Sequence, residues 1–189
     1  KDWRGQFGKD MLFAVVQLAN YGARAAEPSE SATARLREDQ RLAVLADPNA
    51  ALVTAIDVGD PGDIHPANKQ VVGQRLARAA AVRLYGQAGV ASGPMVRSAV
   101  ADGSRIVLDF SDVEGTLQAY GSSRPIGFEA CGDAGCRWVD AQVHGSRIVL
   151  PDDGGVRKVR FCWADAPTCT LYDSKSGLPA FPFEQAVKR

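Results

Sequence analysis

The stretch ALVTAIDVGDPGDIHPANKQVVGQRLARAAAVRLYG, residues 51–86, decides the fold class that the sequence predicts. Its first eight residues, Ala51–Val58, are mainly apolar and partly β-branched, which is typical of a strand buried on both faces of a parallel sheet. A turn rich in glycine, proline and aspartate follows at residues 59–62. His65 then lies in a strand-to-helix crossover, beyond the carboxyl end of the strand. In open α/β sheets, ligands and catalytic groups gather at that edge.

A helix is predicted to follow this turn. Pro66 suits the first helical position, because the N–H that proline lacks would be unpaired there. Apolar residues then recur every four positions and form one stripe of an amphipathic helix. They are Val72, Leu76, Ala80 and Leu84. Gly86 predicts the C-terminal end of the helix.

His65 has two interpretations. In the first it is a general base, held by a neighbouring carboxylate that fixes its tautomer and leaves the other ring nitrogen free to accept a proton from a hydroxyl group. Asp63 and Asp60 are the candidate carboxylates. In the second interpretation the histidine only caps the following helix through a hydrogen bond. The D-x-H pattern alone does not separate the two.

Three blocks of the sequence resemble a known family of esterases. They are KDWRGQFGKDMLFAVVQLANY at residues 1–21, IDVGDPGDIHPANKQVVGQRLA at residues 56–77 and WADAPTCTLYDSKSGLPAFPF at residues 163–183. In this order they resemble the C-terminal part of the sialate O-acetylesterase-like carbohydrate esterases, which are SGNH-type serine esterases with a flavodoxin-like α/β sheet. The resemblance implies that His65 is the catalytic base. Many SGNH enzymes carry an aspartate three residues before this histidine, where Gly62 stands here. Asp63 is therefore the first choice for its partner and Asp60 is the second.

The nucleophilic serine block of that family does not occur in the 189 residues. No G-D-S, G-Q-S or G-x-S-x-G motif is present, and the resemblance places the oxyanion-hole glycine and asparagine upstream as well. We therefore expect an N-terminal fragment of the same enzyme to accompany this chain as its partner and to supply the serine. The chain alone is expected to be inactive. The resemblance implies neither a cofactor nor a metal.

A second continuous apolar run, Met11–Leu18, predicts a second parallel strand. Gln17 and Asn20 stand at its carboxyl end, the predicted catalytic edge, where they are candidates to bind substrate. A polar loop without such a role is the alternative interpretation.

The helices around these strands are predicted from their side-chain patterns. A serine at position 29 or 31 can cap a helix over residues 31–46. Its buried stripe is predicted to hold Leu36, Leu42 and Leu45. Its solvent face is predicted to hold Arg35, Arg37, Glu38, Asp39 and Arg41. Residues 1–7 predict the end of a helix begun upstream, with Trp3 and Phe7 on its buried face.

The composition changes after Gly86. From Met95 onward, short alternating segments separated by Gly, Asp and Pro predict an antiparallel β domain in the form of a small sandwich. We thus predict two domains, the C-terminal part of an SGNH catalytic domain at residues 1–91 and a β-rich accessory domain at residues 92–189.

The segment GLPAFPF, residues 177–183, is predicted to dock on the catalytic domain. Four aromatic residues are candidates to stack on a sugar, although burial is commoner for such residues. They are Trp163, Tyr172, Phe181 and Phe183.

The cysteines indicate the redox environment. Cys131, Cys136, Cys162 and Cys169 form two close pairs, which predict two disulfides in an exported protein, periplasmic or secreted. Of the three possible pairings we favour the local one, 131–136 and 162–169. Neither spacing is usual for a zinc site. The second histidine, His144, falls in a predicted hairpin turn and is assigned no role.

Charge and hydropathy exclude several classes of function. The 22 basic and 22 acidic residues leave no basic patch for nucleic acid, and no apolar run approaches the roughly 20 residues of a membrane helix.

The predicted function is that of a carbohydrate O-acetylesterase acting by Ser-His-Asp chemistry on acetylated sialic acid or on plant hemicellulose such as xylan or xyloglucan. One alternative is a non-catalytic carbohydrate-binding or structural module, whose glycan binding would not depend on His65. Another is a lipid or peptide esterase on the same scaffold.

Overall fold

A computed structural model describes residues 2–189. In this range the helices are α1 (Asp2–Phe7), α2 (Ala32–Leu45) and α3 (Lys69–Tyr85). The first six strands are β1 (Phe13–Gln17), β2 (Ala50–Thr54), β3 (Met95–Asp102), β4 (Arg105–Ser111), β5 (Leu117–Ala119) and β6 (Phe128–Gly132). The other six are β7 (Gly135–Trp138), β8 (Gln142–His144), β9 (Arg147–Pro151), β10 (Lys158–Phe161), β11 (Leu171–Asp173) and β12 (Phe183–Lys188).

The two strands predicted from the apolar runs pair in parallel. β1 and β2 run in register, and all five residues of β2 are buried. On one face, Ala51 and Val53 pack with Ala79 of α3. On the other, Leu52 packs with Met95 and with Phe181 from the C-terminal segment. Both faces of β2 are covered, which explains why its sequence is continuously apolar rather than alternating.

The prediction for the faces of α2 is wrong. Ser31 caps the helix as expected, because its Oγ accepts from the Ala34 N–H. However, Leu36, Leu42 and Leu45 are 45–49% exposed, whereas Arg37, Glu38 and Arg41 are buried. Arg35 and Asp39 are exposed, as predicted. The helix therefore presents its charged side to the rest of the described chain, which leaves its leucines uncovered.

Hydrogen bonds of Arg37 give the physical reason for this inversion. The side chain is 0% exposed. Its guanidinium donates to the carbonyl oxygens of Leu18 (2.9 Å), Ala19 (2.6 Å), Ala164 (2.6 Å) and Asp165 (2.8 Å). It thereby joins the end of β1 to the loop after β10. Five guanidinium donors in a rigid fork can satisfy several buried carbonyls that a leucine would leave unpaired.

The other two helices also differ from their predictions. Trp3 and Phe7 of α1 are exposed rather than buried and stack on each other, with ring centroids 5.9 Å apart. α3 begins at Lys69 with Asn68 as its cap, so Pro66 lies outside it. The residues it buries are Arg75 and Ala79, while Leu84 of the predicted stripe is exposed. Gly86 does end the helix, in the left-handed conformation with φ of 64°.

Instead of a two-sheet sandwich, the C-terminal half contains one curled sheet of eight strands. Their order is β7-β6-β10-β12-β3-β4-β9-β8, and β5 pairs with β11 in a separate ribbon. All neighbours in the large sheet are antiparallel except β12 and β3, which are parallel. Ile106 and Leu108 of β4 share one buried cluster with Phe128 and Phe161 from the other half of the sheet. The sheet therefore wraps around a single core.

The C-terminal segment lies inside this architecture. Phe181 packs on Leu52 of β2, and its N–H donates to the Pro94 carbonyl (3.1 Å). Phe183 begins β12, a central strand that the sequence did not predict. Trp163, Phe181 and Phe183 are at most 1% exposed, so none of them presents a face to a sugar in this structure. Tyr172 is half-buried against Tyr120, with ring centroids 5.6 Å apart.

Two disulfides join Cys131 to Cys136 and Cys162 to Cys169, which is the local pairing favoured from the sequence. The first links the paired strands β6 and β7, and the second closes the loop after β10. Over residues 2–189, no helix is long and apolar enough to span a bilayer.

One carboxyl group in the large sheet is buried without a hydrogen-bond donor. Glu129 of β6 is 0% exposed, and neither of its carboxylate oxygens has a partner among the described residues. The nearby Arg160 donates instead to Glu30 (2.6 Å) and to Glu184 (2.7 Å). Burial raises the pKa of Glu129 to about 7, although the charge of Arg160 opposes the shift.

Glu129 should therefore make the folded protein less stable as the pH rises. The folded state holds a proton that the unfolded state releases near its ordinary pKa, so unfolding becomes easier from about pH 4.5 to about pH 7. The free energy of unfolding should fall over this pH range by an amount on the order of 2–3 kcal/mol. Urea unfolding at pH 5 and pH 8 should show this loss in the parent protein and a smaller one in Glu129→Gln. Glu27→Gln, at an exposed site, is the control. Equal losses in parent and Glu129→Gln would contradict the assignment.

Candidate active site

The crossover between β2 and α3 is held by an ion pair at its base. Arg75 of α3 is largely buried and donates to both carboxylate oxygens of Asp57, each at 2.7 Å. The same guanidinium donates to the Thr54 carbonyl at the end of β2 (2.6 Å). Because paired bidentate contacts fix geometry, this pair sets where the crossover leaves the strand.

His65 and Asp63 come together at the tip of this crossover. The Asp63 Oδ1 accepts a hydrogen bond from the His65 backbone N–H (2.8 Å) and lies 3.2 Å from Nδ1 of the imidazole. The backbone hydrogen bond is the main cause of a lowered pKa for Asp63, and the imidazole adds to it. Asp63 is therefore ionised at neutral pH, as an aspartate must be to hold an imidazole in one tautomer.

Asp60 occupies a different position. Its Oδ1 accepts from the Gly62 N–H (2.8 Å), and its carbonyl accepts from the Asp63 N–H (3.1 Å). Asp60 thus builds the turn that presents Asp63. Of the two carboxylates proposed from the sequence, the structure brings Asp63 to the imidazole.

The imidazole of His65 is open to its surroundings. Its side chain is 82% exposed, and its only hydrogen-bond partner among residues 2–189 is Asp63. Because Asp63 engages Nδ1, Nε2 is free to accept a proton from an approaching hydroxyl group. No serine of the described chain is within hydrogen-bond distance of this ring.

Gln17 and Asn20 lie at the carboxyl end of β1, where the sequence placed them. Gln17 is 0% exposed and donates through Nε2 to the Arg37 carbonyl (2.9 Å). Asn20 is partly buried, and its Oδ1 has no hydrogen-bond partner in the part of the chain described. Neither side chain contacts His65 in this structure, so their binding of substrate remains a prediction.

Solved structures and curated proteins provide relatives for comparison. A carbohydrate acetylesterase from Xanthomonas citri superposes with a TM-score of 0.88 and 35% identity, over 97% of this chain and 43% of that protein. The sialate O-acetylesterases of mouse and human are 27% and 25% identical, each over 97% of this chain. The chain belongs to the sialate O-acetylesterase-like carbohydrate acetylesterases. No model of a protein family matches it.

The chain spans about two fifths of the length of these acetylesterases. It covers 39% of the mouse protein, 40% of the human protein and 43% of the Xanthomonas citri structure. Within that share, the similarity includes both the crossover with His65 and the curled sheet.

Arg75 and Asp57 support the crossover between β2 and α3 but were missed from the sequence. Tyr172, which the sequence suggested only as a residue that could stack on a sugar, lies against the same Asp57. The Tyr172 hydroxyl lies 3.5 Å from Asp57 Oδ2, and burial together with this carboxylate raises the pKa of the phenol to about 12. No motif marks these residues. A charged residue on an amphipathic helix predicts a solvent-facing position, so the sequence pattern gives no signal that Arg75 is buried.

Gly59 is a position where the crossover tolerates no side chain. A Cβ there would collide with Oδ1 and the carbonyl oxygen of Asn20 and with the Ala19 side chain. Gly59→Ala should therefore displace the loop that carries His65 and lower kcat/KM of the complete enzyme by about a hundredfold, because displacements near 1 Å have effects of that size. Acetate release at saturating and subsaturating substrate measures the change.

The control for this variant is Gly73→Ala in α3, where a Cβ meets nothing within 4 Å. Alanine is favoured over glycine inside a helix, so this variant should keep its activity. Gly59→Ala with the activity of the parent enzyme would show that the loop does not position the site.

Proposed function

We propose that this chain is part of a carbohydrate O-acetylesterase in which His65 is the general base of a serine-type reaction. The observation that carries the proposal is the His65–Asp63 pair at the carboxyl end of β2, with Nδ1 held by the carboxylate and Nε2 free. Membership of the acetylesterase family supports the class of bond that is cleaved.

The proposed reaction has two halves. His65 Nε2 accepts the proton of a serine hydroxyl as the serine oxygen attacks the acetyl carbonyl carbon. The C–O bond to the sugar then breaks, and the imidazolium returns the proton to the departing sugar oxygen. Water, deprotonated by the same imidazole, attacks the acetyl-serine ester and releases acetate with the serine restored. Asp63 stabilises the imidazolium in both halves.

We propose further that the serine and the oxyanion hole come from an N-terminal fragment of the same enzyme. Three observations support this partner. The 189 residues contain no nucleophile motif. β1 and β2 form a sheet of only two strands, which is too small to be stable by itself. Three leucines of α2 and the Trp3–Phe7 pair of α1 are exposed, as expected for faces that pack against further protein.

The substrate that we propose is an acetylated sugar, either O-acetylated sialic acid or a hemicellulose such as xylan or xyloglucan. The names of the mammalian relatives favour the first, and that of the Xanthomonas citri relative specifies only a carbohydrate. The two disulfides support a periplasmic or secreted location, because such bonds persist in oxidising compartments.

The test compares the complete enzyme, with the N-terminal part present, with the 189-residue chain alone. Acetate release is measured from O-acetylated sialic acid, acetylated xylan and acetylated xyloglucan. The complete enzyme should hydrolyse at least one of them, and the chain alone should hydrolyse none. Failure of the complete enzyme on every acetylated sugar, or equal activity of the chain alone, would overturn the proposal.

A further inference from the structure

A cleft of about 310 Å³ lies between the loop after β1 and the β-rich half of the chain. Arg24 and Ala25 line it on the first side, and Ile126 and Trp138 line it on the second. A more open depression continues from it and shares Ile126 and Trp138 as lining residues. Because both are lined by Trp138, we treat them as one site and name it the Trp138 groove.

The Trp138 groove begins close to the crossover that carries His65. The Gly22 N–H donates to the carbonyl of Pro61 (3.0 Å), four residues before His65. Gly22 is in turn only two residues before Arg24, and an extended chain covers about 3.5 Å per residue. The preceding Tyr21 N–H donates to the Asp165 carbonyl (3.1 Å), which fixes the same loop to the wall of the groove. The Arg24 end of the groove is therefore connected, through the Gly22–Pro61 hydrogen bond, to the crossover that carries His65.

Trp138 offers a flat and fixed apolar face in this groove. The side chain is in β7 and is 44% exposed. Its Nε1 donates to the Ala26 carbonyl (3.4 Å), which holds the indole edge against the loop after β1. Ile126 beside it is 48% exposed. An anchored indole next to an aliphatic side chain matches the apolar face of a pyranose ring, and little entropy is lost when it binds.

Arg24 supplies polar complementarity at the end of the groove nearest the crossover. It is exposed, and no carboxylate among residues 2–189 pairs with it. By contrast, Arg137 and Asp140 in the adjoining depression are already paired, with Asp153 and Arg124 respectively. A free guanidinium has five donors for sugar hydroxyl or carboxylate oxygens. A few such polar groups in an otherwise apolar cleft are typical of small-molecule sites.

We propose that the Trp138 groove is a carbohydrate-binding subsite in which a sugar ring of the substrate stacks on Trp138 while Arg24 donates to its oxygens. The inference rests on the proposed esterase function and adds to it that the β-rich half holds the substrate. Sugars beyond the acetylated residue would occupy the groove.

The experiment measures KM and kcat of the complete enzyme on two kinds of ester. One is an acetylated oligosaccharide that the enzyme hydrolyses, and the other is 4-nitrophenyl acetate, which has no sugar. Trp138→Ala should raise KM for the oligosaccharide about tenfold, the loss expected for one stacked ring. The rise in KM for 4-nitrophenyl acetate in the same variant should be at least threefold smaller. Trp138→Phe should restore part of the affinity, and Tyr85→Ala, at another exposed aromatic residue, is the control.

Arg24→Ala identifies the sugar oxygens that bind. A larger loss on acidic than on neutral oligosaccharides assigns a carboxylate to Arg24, and equal losses assign hydroxyl groups; both support the subsite. Two results for Trp138→Ala would overturn the subsite: an equal rise in KM for oligosaccharide and 4-nitrophenyl acetate, or no rise for either. The subsite would be overturned in the same way if the N-terminal part fills the groove. An enzyme without esterase activity on any acetylated sugar would instead refute the proposed function, so the two failures are distinguishable.

Discussion

Replacing His65 with alanine should lower the turnover of the complete enzyme by about three to six orders of magnitude, the range expected when the base of a catalytic triad is removed. The variant should keep its fold, because the imidazole is 82% exposed and bonded only to Asp63 within the described chain. The rate loss should lie in kcat, since the imidazole acts in the transition state and not in substrate binding. Acetate release under saturating substrate measures it.

The matched control is His144→Ala, because His144 is exposed at the end of β8 and is the only other histidine in the sequence. It should leave the rate unchanged. The carboxylates can be separated in the same assay. Asp63→Asn should lower kcat by about a hundredfold or more, whereas Asp60→Asn should act only through the turn that it builds. Turnover of His65→Ala within tenfold of the parent enzyme would refute the assignment of the base.

The second large effect concerns stability. Replacing Arg37 with methionine, which has a similar length and no donors, should lower the free energy of unfolding by about 3–5 kcal/mol, because several buried carbonyl acceptors would be left without a donor. Four carbonyl oxygens from two distant parts of the chain would lose their donor together. Burial lowers the pKa of Arg37 to about 10, so the group is still charged at neutral pH.

Urea unfolding of the complete enzyme at pH 7 measures this effect. Arg83→Met is the control, because Arg83 is exposed in the last turn of α3, and it should change stability by less than about 0.5 kcal/mol. A cost below about 1 kcal/mol for Arg37→Met would mean that the junction at Ala164 and Asp165 is held by other contacts.

The features predicted correctly from the sequence are those with local causes. β1 and β2 follow from continuous apolar runs, and the end of α3 follows from the left-handed conformation that Gly86 adopts readily. The local disulfide pairing follows from short cysteine spacing. The proximity of Asp63 and His65 is also local, because a separation of two residues allows one carboxylate to meet both the backbone and the ring of the histidine.

The features that were missed depend on contacts between distant residues. The orientation of α2 is set by Arg37, whose partners Ala164 and Asp165 are 127 and 128 residues away. The helix periodicity carries no signal of these partners, so the sequence predicts the leucine stripe as the buried face. β12 is a central strand only because β10 and β3 flank it. The groove at Trp138 arises where a loop of the first half meets the second, and a single tryptophan gives no sequence signal for it.

The central claim is that the histidine of this chain activates a serine outside it. Mass mapping of the complete enzyme after reaction with a fluorophosphonate, which labels activated serines, tests the claim directly. The account predicts one adduct, on a serine upstream of these 189 residues, and at least a hundredfold slower labelling in His65→Ala. An adduct on a serine within the 189 residues, or labelling at an unchanged rate in His65→Ala, would contradict it.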